Sequence, residues 1–257
     1  MKKKINRLNE LISSMVHSGR ALACSVPGPM VATYVLSLAY MNFFAIKEFP
    51  IGRIAVIDCA FLLSWAPFLI ADILIKLFGV RAAVSMSIFG ASCNATFSLL
   101  LWFVTKIPSS FGGFNGTYDI QLAVEEILGS HILIILGSAI ALILSTIVKG
   151  MTLKAIDKRS KDPSSITILY REVAISSFVG QLFDNTIFAF FTAFLLFHWH
   201  ISTIIVSIII KTGIELFMEM TCLPLGYVAI TQWKEDGIGE MYINYIKQYD
   251  EENSIKD

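Results

Sequence analysis

Gln181 and Asp184 interrupt the apolar run REVAISSFVGQLFDNTIFAFF from Arg171 to Phe191, which is long enough to span a bilayer. A carboxylate near the middle of a membrane helix costs about 2.5–3.5 kcal/mol on insertion scales, so it is expected to face a partner or a wet cavity. At about 100° per residue, Ser177, Gln181 and Asp184 fall within about 60° of one another and form one inward polar stripe, while Arg171 points elsewhere near the helix end. A carboxylate accepts N–H groups and an amide both donates and accepts, so such a stripe suits a polar ligand. A desolvated carboxyl can also exchange a proton, a role for which Asp184 and Glu215 are the candidates.

Other spans carry further polar groups. Asp72 and Lys76 stand at i and i+4 and are expected to pair as a neutralised anchor, and Asp58, about four turns earlier near the opposite interface, reads as structural. Ser87, Gly90, Ala91, Asn94 and Ser98 line one face as a small-residue stripe that permits close helix approach. Asn94 and Asn42 add amides able to match the edge of a purine-like ring or to cap and glue helices. Lys211, Glu215 and Glu219 follow at one-turn intervals, with an internal ion pair as the structural reading. Asp72, Asp184, Glu215 and Glu219 outnumber the cations Lys76, Lys211 and Arg171 available to neutralise them, so at least one carboxylate is expected to be protonated or ligand-facing.

The elements that must position these residues are apolar helices. Of 257 residues 55% are hydrophobic and 16% charged, and the mean hydropathy is +0.68, the composition of one polytopic membrane domain. Apolar runs predict an all-α bundle of six transmembrane helices at 29–46, 54–77, 80–104, 131–150, 171–197 and 201–230, with kinks at Pro67 and Pro224. The spans form a domain over 29–232, between an N-terminal cytoplasmic or interfacial segment (1–28) and a cytoplasmic tail (233–257). Sixteen of the 20 Lys and Arg residues, Lys149 among them, then lie on one side, three lie opposite and Lys211 sits within the sixth span, which places both termini in the cytoplasm.

The connection TKIPSSFGGFNGTYDIQLAVEE reads as a flexible outer loop, and TLKAIDKRSKDPSSI as a solvated basic linker. The start MKKKINRLNELISSM lacks the short apolar core and cleavage site of a signal peptide. The four cysteines follow neither a disulfide framework nor a zinc pattern. His198 and His200 sit beside Trp199 at a tight turn and read as interfacial residues, so no metal is expected. No nucleophile elbow, zinc-protease motif or glycine-rich phosphate loop is present, and neither enzymatic activity nor a cofactor is expected.

The runs NFFAIK at 42–47, ADILIKLFG at 71–79, REVAISSFVGQLFDNTIF at 171–188 and KTGIELFMEMTCLPLGY at 211–227, with Asn94, resemble the queuosine precursor transporter family of six-span membrane proteins. The chain departs from that pattern at Lys76 and Phe78, where the family usually carries an acidic residue and a tyrosine. The resemblance implies import of 7-deazaguanine derivatives such as 7-cyano-7-deazaguanine, 7-aminomethyl-7-deazaguanine or queuine across the bacterial inner membrane for transfer RNA queuosine salvage, without direct nucleic-acid binding. It carries over Asn42, Asp72, Asn94, Arg171, Ser177, Gln181, Asp184 and Lys211 as substrate-binding positions. Asp184 with Gln181 is the pair expected to meet a guanine-like edge, with Phe188, Phe191 or Trp65 available to cover the ring. The alternatives are a substrate-capturing membrane component served by a separate energising module, and a membrane-embedded enzyme.

Overall fold

The computed structural model describes residues 19, 21–52, 55–107, 118–157 and 166–254. The Lys-rich start, the Pro/Gly-rich part of the long connection (108–117) and the centre of the basic linker (158–165) lie outside the described residues. The chain forms α1 (Gly28–Phe44), a hairpin of β1 (Glu48–Ile51) and β2 (Ala55–Asp58), then α2 (Phe61–Phe78), α3 (Val80–Thr105), α4 (Tyr118–Asp157), α5 (Ile166–Ala189), α6 (Ile201–Glu235) and α7 (Glu240–Ser254). A π-helical stretch, Phe190–Leu196, extends α5.

Among the described residues five stretches are long and apolar enough to cross a membrane: α2, α3, Leu133–Ile156 of α4, Thr167–Leu196 of α5 with its extension, and α6. The sixth long helix, α1, has 17 residues. At about 1.5 Å per residue it covers about 26 Å, a little less than the hydrocarbon core of about 30 Å. The fold is therefore an all-α polytopic membrane bundle.

The distribution of polarity is that of a protein solvated by lipid. On α6, Phe217 is 73% and Leu225 72% exposed, whereas Glu219 between them is fully buried. A water-soluble helix would do the reverse, because exposing apolar surface to water is costly and burying a carboxylate costs more. In lipid the apolar face needs no cover, and the charged face must find its partners inside.

One sequence expectation is corrected in detail. The second apolar run does not continue as helix from residue 54: Ala55–Asp58 is a strand paired in register with Glu48–Ile51, and helix begins only at Phe61. The alternating burial along Ala55–Asp58, with β-branched Val56 and Ile57, suits a short strand, and Gly52 at φ 60° supplies a turn conformation that side chains resist. The C-terminal segment carries a further helix. α6 runs to Glu235, and α7 folds back so that Tyr242, 2% exposed, meets the Phe78 ring edge-on at 6.2 Å between centroids.

α2 lies centrally, against α1, α3 and α6, and α4 lies between α3 and α5. Tyr34, Leu38, Leu74, Ala82 and Ala141 belong to the buried core these helices share. The small-residue stripe on α3 does what its spacing predicts: a Cβ added at Gly90 would stand 2.6 Å from Leu38 Cδ1 and 2.9 Å from Tyr34 Cε1, so glycine lets α1 and α3 approach. Both α2 and α6 run on as helix through Pro67 and Pro224.

Candidate functional site

The side chains that chemistry requires to be neutralised meet in three layers along the bundle, contributed mainly by α2, α4, α5 and α6. Nearest the hairpin, Lys211 Nζ lies 2.7 Å from Asp58 Oδ2 and 3.0 Å from Oδ1, and 3.9 Å from Glu215 Oε1. The same ammonium sits 4.8 Å from the centre of the Phe188 ring, within cation–π range. Glu215 is further held by the Ser64 hydroxyl and by Asn185, whose Nδ2 donates to Glu215 Oε2 at 2.8 Å and to Thr212 Oγ1 at 3.1 Å. Ser207 ties the hairpin to α6 by donating to the Val56 carbonyl at 2.5 Å.

The middle layer is sealed from solvent. Lys149 Nζ contacts Asp72 Oδ2 at 2.9 Å and Glu219 Oε1 at 3.0 Å and donates to the Phe68 carbonyl at 2.9 Å, with Lys149, Asp72 and Glu219 all at most 1% exposed. Ser177 donates to Glu219 Oε1 at 3.0 Å and lies 3.5 Å from Asp72 Oδ2, while Gln181 Nε2 donates to Glu219 Oε2 at 2.7 Å. Gly180 permits this seating, since a Cβ there would fall 3.0 Å from Lys149 Cβ. At the far end Lys76 Nζ pairs with Glu172 Oε2 at 2.7 Å. Such pairs offset the desolvation of their own charges only where geometry and hydrogen bonding are good.

Beside this column, Asp184 accepts from the Ser145 hydroxyl at 2.9 Å and pairs with no described cation. The next residue on α4, Thr146, continues a hydroxyl chain through Ser87 to Tyr34, each step 3.0 Å. On α1 and α3, the amides expected from the sequence are buried and poorly satisfied. Asn42 is 1% exposed with neither Nδ2 nor Oδ1 partnered, Asn94 Nδ2 reaches the Leu38 carbonyl only at 3.4 Å, and Asn94 Oδ1 and Ser98 Oγ have no partner. At the hairpin end a narrow cleft of about 30 Å³ is walled by β2, α5, its π-helical extension and α6, with Asp58, Asn185, Phe188 and Lys211 among its lining.

The structure thus gathers Asp72, Ser177 and Gln181 in one layer and places Lys211 in the next. Asp184 lies on the same helix face and accepts from Ser145 of α4. Arg171 is exposed and joins neither layer. The anchor pair Asp72–Lys76 is replaced by Asp72–Lys149 and Lys76–Glu172, because neighbouring helices offer better-placed partners than the next turn does. Asp58, read as structural, is ion-paired with Lys211. Lys149, counted above among the cytoplasmic basic residues, is fully buried, since α4 continues as helix to Asp157.

Sequence reading missed Lys149, Glu172 and Asn185 as members of the column. A usable signal existed for Asn185: it stands four residues after Gln181, and antiparallel α6 presents Glu219 and Glu215 at the same spacing. Of the aromatic candidates only Phe188 lines the cleft. Trp65 donates its Nε1 to the Leu62 carbonyl at 2.9 Å, and a Cβ added at Gly137 would meet Phe191 at 2.6 Å, so Phe191 serves helix packing.

A multi-pass bundle with charge paired along its interior is the build of a membrane transporter. The family model described as "Putative vitamin uptake transporter" matches residues 58–229, from the end of β2 to within α6. The chain belongs to this family of transporters. No curated protein and no solved structure matched it.

Proposed function

We propose that the protein imports a queuosine precursor of the 7-deazaguanine type, such as 7-cyano-7-deazaguanine, 7-aminomethyl-7-deazaguanine or queuine, across the bacterial cytoplasmic membrane for salvage into transfer RNA. The observation that carries this reading is the interior column of amide and carboxylate groups in a member of an uptake-transporter family. A guanine-like edge presents two adjacent N–H donors that carboxylate and amide oxygens accept. The motif resemblance supplies the heterocycle, and the polar interior supports a ligand of that kind.

In this reading the basic-residue bias sets both termini in the cytoplasm and the β-hairpin outside, with six spans counting α1. Substrate enters at the hairpin-end cleft beside Lys211 and Phe188, and passes Asp184, Gln181, Ser177 and Asp72, with Asn42 and Asn94 on the facing helices. Alternating access requires the layers to open in turn, and ion pairs that bridge different helices are suitable latches. Asp184 or Glu215 exchanges a proton during the cycle.

The test is recovery of transfer RNA queuosine in a bacterium lacking its own precursor transporter and precursor synthesis, fed each deazapurine at low concentration. Recovery with the intact chain, lost or reduced at least tenfold in Asp184→Asn, supports the assignment. No recovery with any precursor, from protein demonstrably in the membrane, removes the substrate assignment.

A further inference from the structure

The interior is short of positive charge and of hydrogen-bond donors. Asp58, Asp72, Glu172, Asp184, Glu215 and Glu219 face three ammonium groups, those of Lys76, Lys149 and Lys211. Lys149 serves two carboxylates, Lys211 serves two, and Asp184 has only the Ser145 hydroxyl. Independently of charge, seven buried side-chain polar atoms among the described residues lack a partner. Five of them are pure acceptors, namely Asn42 Oδ1, Asp72 Oδ1, Asn94 Oδ1, Glu172 Oε1 and Gln181 Oε1, against one pure donor and one hydroxyl.

Two of those orphaned acceptors, Asp72 Oδ1 and Gln181 Oε1, belong to side chains that are at most 1% exposed and already committed to the middle layer. Gln181 has turned its NH₂ group toward Glu219, which leaves its carbonyl without a donor. Asp184 lies three residues further along the same helix, about 4.5 Å along the axis. The site thus offers two acceptor oxygens, one of a carboxylate and one of an amide, and, about one turn away, a carboxylate with no ion-pair partner among the described residues. A half-buried carboxylate without a counter-ion and buried acceptors without a donor cost free energy that a ligand supplying the missing groups would recover.

Building on the transport reading above, we infer that the transported molecule is a cation, a heterocycle carrying an ammonium arm, whose ring N–H edge meets Gln181 and Asp72 while the ammonium meets Asp184. Among the precursors named, the amine-bearing 7-aminomethyl form and queuine satisfy this, and the uncharged 7-cyano form does not. Selectivity follows from desolvation: an uncharged arm would leave Asp184 unpaired in the loaded state, and that penalty falls on the wrong ligand. The discrimination resides in the ionised Asp184, and a proton on it would cancel the preference as Asp184→Asn does.

The experiment compares initial uptake of radiolabelled 7-aminomethyl- and 7-cyano-7-deazaguanine, which share one ring, by cells expressing the full chain and lacking other routes of entry. The expected result is a half-saturating concentration at least tenfold lower for the aminomethyl compound, with that ratio shrinking toward one in Asp184→Asn. Equal or better uptake of the cyano compound by the unaltered chain overturns the inference and leaves the proposed function standing. Uptake of neither compound, with the protein shown to be in the membrane, overturns both. The ratio in the unaltered chain decides the matter even if the variant fails to fold.

Discussion

Lys149 is the residue on which the middle layer depends. It is fully buried, touches Asp72 and Glu219 within 3.0 Å and also satisfies the Phe68 carbonyl. Removing one partner of a buried ion pair costs about 3–5 kcal/mol, because the remaining charge stays desolvated. Lys149→Met is therefore expected to lower the melting temperature of the detergent-purified protein sharply. Adding Glu219→Gln removes one stranded carboxylate and is expected to recover part of that loss. A double variant no more stable than the single one would show that the triad is not the cause. Lys76 illustrates the same principle from the other side: its departure from the family motif is matched by Glu172 at 2.7 Å, so the column keeps a paired charge there.

At the scale of elements, two glycines distinguish close approach from mere helix composition. Gly180 on α5 faces Lys149 on α4, and a side chain there would press on the lysine stem at 3.0 Å. Gly180→Val is expected to cost about 1–3 kcal/mol, the range for overpacking a filled interior. Gly213 within α6 has nothing within 4 Å of an added Cβ. Gly213→Ala is expected to stabilise by about 0.5–1 kcal/mol through helix propensity alone. Thermal unfolding of the two variants side by side checks both signs, and a neutral Gly180→Val would mean that α4 and α5 can separate at no cost. The π-helical turn after α5 belongs to the same scale: it brings Thr192 and Ala193 to the wall of the hairpin-end cleft, and such turns often occur at functional sites.

For the whole molecule, the question is whether this chain moves its substrate unaided or captures it for a separate energising module. The pairs Asp58–Lys211 and Lys76–Glu172 lie at opposite ends of one column and bridge different elements. Liposomes containing only the purified chain are expected to accumulate labelled precursor without ATP. An imposed proton gradient, acidic outside, is expected to raise the initial rate severalfold. Substrate binding without uptake under either condition would instead favour the capture component.

The all-α bundle, its apolar spans and the polar face of α5 were legible in the sequence, because span length and helical periodicity are local properties fixed by 1.5 Å per residue and 3.6 residues per turn. The close approach at Gly90 and the polar character of Asp72, Ser177, Gln181, Asp184 and Lys211 followed from the same reading. Partner choice did not. Ser177 and Asp184 project on nearly one line of α5, yet Ser177 meets Glu219 of α6 and Asp184 meets Ser145 of α4. Helices cross, so one face meets different neighbours at different heights, and only the tertiary arrangement says which. Periodicity likewise made Asp72 and Lys76 obvious partners, but charge in a lipid-enclosed interior pairs with whichever opposite charge packing brings within reach. For that reason Lys149, read from sequence as one more cytoplasmic lysine, is a central cation of the bundle.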